Sequence, residues 1–221
     1  MTVLATATLS TLMREGSQAE HRRAESAGFV TALLDARVTE AGYATYLARL
    51  RPVYAALEAV GADLARHPVA GQLVDPALDR LAAIEADLAH WTAASAPTAV
   101  DASPTAAVTA YVGRIEATRA DPVLYVAHHY TRYLGDLSGG QAIGRVLARA
   151  HGVTDGAGLS FYRFDAIEKV KPYKDGYRAR LDALPLADAD RRRVADEVRV
   201  AFALNEDLFA ELTAGLDAWL R

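Results

Sequence analysis

A chain of 221 residues with 52% hydrophobic and 24% charged side chains has the balance of an ordinary folded globular protein, long enough to bury a core without staples. Its net charge of -4 supplies no basic field for nucleic acid or an anionic membrane. The absence of cysteine excludes thiolate nucleophiles, iron–sulfur clusters, Cys-ligated zinc and disulfides.

Helical periodicity runs through the chain, and one domain over 1–221 is expected. The N-terminal MTVLATATLSTLMREGSQAEH lacks a basic-then-apolar leader, and no stretch approaches the roughly 18 uninterrupted apolar residues of a membrane span. The expectation is a cytoplasmic protein without a membrane anchor. A first helix is predicted from Leu9 to about Ala36, with Ser10 as its cap. A second spans Glu40 to about Val60, with Tyr43, Leu47, Leu50, Tyr54 and Leu57 on one face and Gly61 as its stop. Helices at about 75–94 and 104–119 follow, parted by the proline-containing SAPTAVDASPTA. Val123–Ala150 reads as a long helix despite Gly135, Gly139, Gly140 and Gly144, and helices at about 165–183 and 188–219 complete the chain. Nothing alternates long enough for a sheet, so the fold class is all-α.

Residues 126–146, VAHHYTRYLGDLSGGQAIGRV, break the local rules. Each glycine inside a helix costs about 1 kcal/mol relative to alanine, and elsewhere this chain uses alanine freely. Gly135 and Gly139, four apart, share one helix face and form a shelf without side chains, with Asp136 at its edge. A planar ligand on that shelf is one reading, and close packing of a second helix over the glycines is the other.

Of the six histidines, none forms a paired helical spacing for zinc, and His128 and His129 point to different faces. His21 is distinctive because Glu25 lies one turn on, where a carboxylate can take the Nδ1 proton and leave Nε2 for a metal. A lone histidine on an amphipathic helix is otherwise a surface residue.

Taken together, YTRYLGDLSGGQ and the N-terminal HxxAE resemble the haem oxygenase family. The resemblance extends through VTEAGYATYLARLRPVYAALE, FYRFDAIEKVKPYKDGYRARLDAL and AFALNEDLFAEL. It implies a bundle of about seven to eight helices with haem between a proximal helix and a kinked distal one. By the match, His21 is the proximal iron ligand and Glu25 its hydrogen-bond partner. Gly135 and Gly139 are the distal backbone positions against the haem, with Gly140 beside them, and Asp136 is the distal acid, acting through ordered water. Tyr130 matches a haem-contacting position, and His128 matches a histidine that is not the ligand. Arg14, Lys174 and Arg178 match propionate contacts, while Gln18 stands where some relatives have lysine. Phe202 and Asn205 match pocket-lining residues.

The same resemblance implies haem b as both cofactor and substrate, with O2 as co-substrate. The implied products are biliverdin (the alpha isomer by the propionate pattern), carbon monoxide and ferrous iron. A reductase or ferredoxin-like electron donor and a monomeric state complete that expectation. Two other readings remain open at this stage. A haem carrier without turnover would need His21 and the basic edge but would leave Asp136 idle. A related helical fold for another small molecule is the other, although paired Glu-x-x-His motifs for di-iron are absent, as is the cysteine that a thiamin-degrading enzyme would use.

Overall fold

A computed structural model of the protein describes residues 7–94 and 100–221, with the backbone alone described at Glu25. Helices joined by loops make up the described residues, with one isolated β-bridge between Val38 and Leu220 and no strand among them. The all-α expectation holds. Part of the proline-containing linker, residues 95–99, lies outside the described residues.

The predicted first helix is three: α1 (Leu9–Gly16), α2 (Gln18–Glu25) and α3 (Gly28–Leu34). Its cap is Thr8, whose side chain accepts from the Thr11 amide, and not Ser10. Ser10 instead binds Asp182 on a distant helix, through its amide at 2.8 Å and its hydroxyl at 3.0 Å. The first break falls at Ser17, whose hydroxyl donates back to the Met13 carbonyl at 2.7 Å, a local bond that competes with helix continuation. The second falls at Ser26 and the extended Ala27.

Helix α4 (Glu40–Leu64) is capped by Thr39 and forms the centre of the core. Tyr43, Leu47, Leu50, Tyr54 and Leu57, the predicted face, are all fully buried. Gly61 does not end this helix. A Cβ there would stand 2.5 Å from the Tyr125 hydroxyl, so the glycine admits a neighbouring helix and α4 continues for another turn. Helix α5 (Leu81–Ala94) begins later than predicted, after a short 3-10 turn at Pro76–Leu78. Helix α6 (Ala106–Ala117) follows, with Thr105 as its cap.

Helix α7 (Pro122–Gly135) starts on proline, whose fixed φ suits the first helical position. It runs into a π-helical turn, Asp136–Gly140, and on into α8 (Gln141–Ala150). The long glycine-rich helix is therefore continuous but widened over one turn. Helices α9 (Val170–Asp182) and α10 (Asp188–Ala214) close the chain with a short 3-10 turn at Leu216–Ala218.

Two layers follow from the contacts. Helix α4 packs on α5 and α6, while α10 lies across α1, α2, α3, α6 and α7. Buried polar pairs fix these helices relative to one another. His128 Nε2 lies 2.8 Å from Glu197 Oε1 on α10, and Arg114 of α6 donates to the same carboxylate at 2.7 Å. His129 is stacked on Tyr177 of α9, with its Nδ1 2.7 Å from the phenol oxygen. Burial lowers the His129 pKa to about 3, so this imidazole is neutral. Between the α1–α2 side and the widened distal helix the bundle leaves a large cavity.

Candidate functional site

The cavity has a volume of about 820 Å³, and apolar groups supply most of its wall. One wall comes from Arg14, Ser17, Gln18, His21 and Arg22 of the broken N-terminal region. The break at Ser17 makes α2 a separate eight-residue helix, so His21 is carried on a piece with its own orientation. His21 is exposed, and its ring meets Phe202 of α10 edge-on at 5.6 Å between centroids. The side chain of Glu25, its expected partner, lies outside what is described.

The opposite wall is the distal helix. Its glycines divide into two kinds. A Cβ added at Gly135 or Gly139 would meet nothing within 4 Å, so these two leave bare backbone facing open space. At Gly140 and Gly144 a Cβ would stand 3.0 Å from atoms of Tyr162, so these two let the helix press against an aromatic side chain. Gly140 lines the cavity, but its missing side chain serves packing. Among the described residues no second helix covers Gly135 or Gly139, and what packs on Gly140 and Gly144 is one aromatic side chain from the 3-10 turn Ser160–Tyr162. Tyr162 is itself held from behind: the buried Asp87 carboxylate accepts the amides of Ser160 at 2.8 Å and Phe161 at 2.7 Å.

Asp136 begins the π turn and is 8% exposed. Its Oδ2 accepts the Tyr54 hydroxyl, and its Oδ1 lies 3.6 Å from Arg132 Nη2. Burial raises the Asp136 pKa above the ordinary carboxylate value, with Arg132, Tyr54 and Arg80 acting against the rise. Arg132 is the hub of this cluster. Its Nε and Nη2 donate to the Tyr54 oxygen at 3.1 and 2.8 Å, and its Nη1 donates to Asn205 Oδ1 at 2.6 Å. Asn205 Nδ2 then donates to the Tyr111 oxygen at 3.0 Å. Burial opposes the Arg132 charge, yet Tyr54 and Asp136 outweigh it and its pKa is raised. Burial also pushes the nearby Tyr46 phenol up to about 12, against the pull of Arg132. The result is a connected, buried polar network that positions Asp136 at the cavity edge.

Tyr130 also lines the cavity. Burial raises its pKa, and the charges of Arg178 and Arg14, which line the same cavity, moderate the rise. Lys174 does not line the cavity. Its ammonium donates at 3.2 Å to Ser138 on the π turn, a residue that does line the cavity. Arg14, His21, Tyr130, Gly135, Asp136, Gly139, Gly140, Arg178, Phe202 and Asn205 are thus gathered around one space. Tyr54, Tyr46, Tyr111 and Arg132 were not selected as site residues from sequence. The available signal was a run of tyrosines on buried helix faces, since a buried phenol needs a partner.

A helical bundle folded around one large apolar cavity, with a histidine on one side and bare backbone beside a buried acid on the other, defines a binder of a flat organic ligand. The Heme oxygenase family model matches residues 7–211. "Heme oxygenase 1" of a Synechocystis species is 38% identical over 209 residues, which are 94% of this chain and 86% of that protein. The human "Heme oxygenase 1" is 38% identical over 207 residues, covering 92% of this chain and 71% of its relative. Among solved structures, heme oxygenase from Leptospira interrogans superposes with a TM-score of 0.86 at 35% identity, over 93% of this chain and 100% of that one. Heme oxygenase-1 from Synechocystis in complex with heme gives 0.87 at 36% identity, over 96% and 95%. This chain belongs to the haem oxygenase family.

Proposed function

We propose that the protein opens the haem ring oxidatively, giving biliverdin, carbon monoxide and ferrous iron, with the site residues in the roles that follow. The observation that carries these assignments is the open backbone at Gly135 and Gly139, set beside the buried Asp136 in the same cavity as His21. Such a wall receives a flat macrocycle, and the apolar remainder of the cavity suits a tetrapyrrole face. The donor set fits as well: an imidazole for iron on one side and arginines at the rim for carboxylates.

Haem, when bound, supplies the iron chemistry with dioxygen and is itself the molecule consumed. His21 would hold the iron through one ring nitrogen. Gly135 and Gly139 keep the opposite side free of side chains, so only small molecules have room there. Asp136 keeps its proton to higher pH than an exposed carboxyl, because burial disfavours its anion. It is thus the acid positioned at the cavity edge to relay protons through ordered water. Tyr54 fixes one of its oxygens, and Arg132 with Asn205 fixes Tyr54 in turn. Arg14 and Arg178 would orient the carboxylate edge of the ligand, and the alpha isomer is proposed only from the resemblance of Arg14, Lys174 and Arg178 to the family's propionate contacts. A cytosolic monomer supplied with electrons by a reductase or ferredoxin-like partner completes the reading.

The experiment is to mix the purified protein with hemin, a reductant and oxygen. Loss of the Soret band with formation of a green bilin is expected, and His21→Ala is expected to abolish the wild-type Soret spectrum. A stable oxygen complex without bilin would make the protein a carrier instead, and an unaltered spectrum in His21→Ala would remove the ligand assignment.

A further inference from the structure

Four arginines line the cavity: Arg14, Arg22, Arg132 and Arg178. Arg132 is consumed by the buried network. Arg14 lies 3.4 Å from Glu15 Oε1, and Arg178 lies 3.2 Å from Asp175 Oδ1, so an acid already offsets each of these rim charges. Arg22 differs, because no carboxylate among the described side chains lies within ion-pair distance of it. The nearby acids Glu20 and Glu206 both pair with Arg23, at 3.4 and 3.0 Å.

Arg22 also occupies a separate part of the rim. It directly follows His21 on α2, beyond the break at Ser17, whereas Arg14 belongs to α1. The charges felt by Tyr130 are those of Arg178 and Arg14. Between the two arginine positions the cavity is lined by Ser17, Gln18 and His21, none of them an acid. The cavity thus offers a carboxylate two stations: the Arg14–Arg178 pair, each with an acid beside it, and the Arg22 guanidinium next to His21, which no described acid pairs with. A carboxylate that docks on Arg22 displaces no acid among the described side chains, and the planar fork can accept it in bidentate fashion.

We propose that Arg22 is a second carboxylate anchor of the cavity, binding one propionate-type carboxylate of the tetrapyrrole apart from the Arg14–Arg178 pair. This rests on the haem reading above. The test compares hemin with hemin dimethyl ester, whose carboxylates are masked, in Soret titrations of wild type and Arg22→Gln. Because Arg22 is exposed on its helix, the variant is expected to melt with the wild type. Arg22→Gln should weaken hemin binding about three- to tenfold and leave the ester unchanged. Arg22→Lys should recover part of the loss, since it keeps the charge without the fork. Equal hemin affinity in wild type and Arg22→Gln would overturn the proposal, as would equal losses for hemin and ester. Failure of wild type to give a His21-dependent haem spectrum would instead overturn the haem reading itself.

Discussion

Gly139→Ala sets local stability against function, and the structure gives the sign of each. A methyl group at Gly139 meets nothing within 4 Å, and the residue has no positive φ that an alanine would resist. Without ligand the substitution therefore brings helix propensity alone, about 1 kcal/mol. For a chain of this length that raises the melting temperature by about 2–4 °C. With haem the same methyl projects into the space the ring would occupy, and overpacking of this kind costs about 1–3 kcal/mol. Affinity should then fall by about 5- to 150-fold. Gly140→Ala provides the contrast, because its methyl would stand 3.0 Å from Tyr162 and the propensity gain is lost to crowding. The assay is a melt of the ligand-free protein paired with a Soret titration. A melting temperature below wild type for Gly139→Ala, or an unchanged haem affinity, would refute the reasoning.

Asp136→Asn should bind haem with its spectrum retained but form bilin at least about 100-fold more slowly, the contribution expected of a positioned proton donor; turnover at the wild-type rate would exclude that role. Tyr54→Phe removes the donor to Asp136 and the acceptor of two Arg132 bonds, so the melting temperature should fall by several degrees for a loss of about 1–3 kcal/mol. Because the Tyr54 bond holds the Asp136 pKa down, the pH profile of turnover should also move upward in that variant, and an unmoved profile would count against Asp136 as the titrating group. His129 gives an acid-stability prediction. An unfolded histidine takes its proton near pH 6.5 and this buried one only near 3, so stability falls as pH drops through that window, by about 1.4 kcal/mol per unit. About 2 kcal/mol is gone by pH 5, and His129→Gln should show a shallower acid limb in melts from pH 7 to 5; identical limbs would refute the assignment.

The residues explain which parts of this were legible in the sequence. The α4 face from Tyr43 to Leu57 was readable because spacing alone determines which side of a helix is apolar. The anomaly of the glycine cluster was also readable, since glycine among alanines is a local cost. What each glycine does was not, because the answer depends on Tyr162, which arrives from a distant turn held by Asp87. Gly61 misled for the same reason: its partner is Tyr125, and a glycine that admits a neighbouring helix has the same sequence signature as one that stops its own. Arg132 joins Tyr54, 78 residues away, to Asn205, 73 residues away, and no local pattern encodes such a junction. The breaks at Ser17 and Ser26 left only weak serine signals within an otherwise helical period.

The π turn carries one residue more than the α-helical repeat would hold between its ends. Deleting Ser138 would remove that surplus and let the two flanking helices join as one regular α-helix, without turning either of them about the axis. Gly140 and Gly144 would keep the plate that Tyr162 offers them, while the widened turn between Gly135 and Gly139 would close. That one surplus residue is what allows a single rod to show naked main chain in two directions at once, toward a guest on one side and toward its own support on the other.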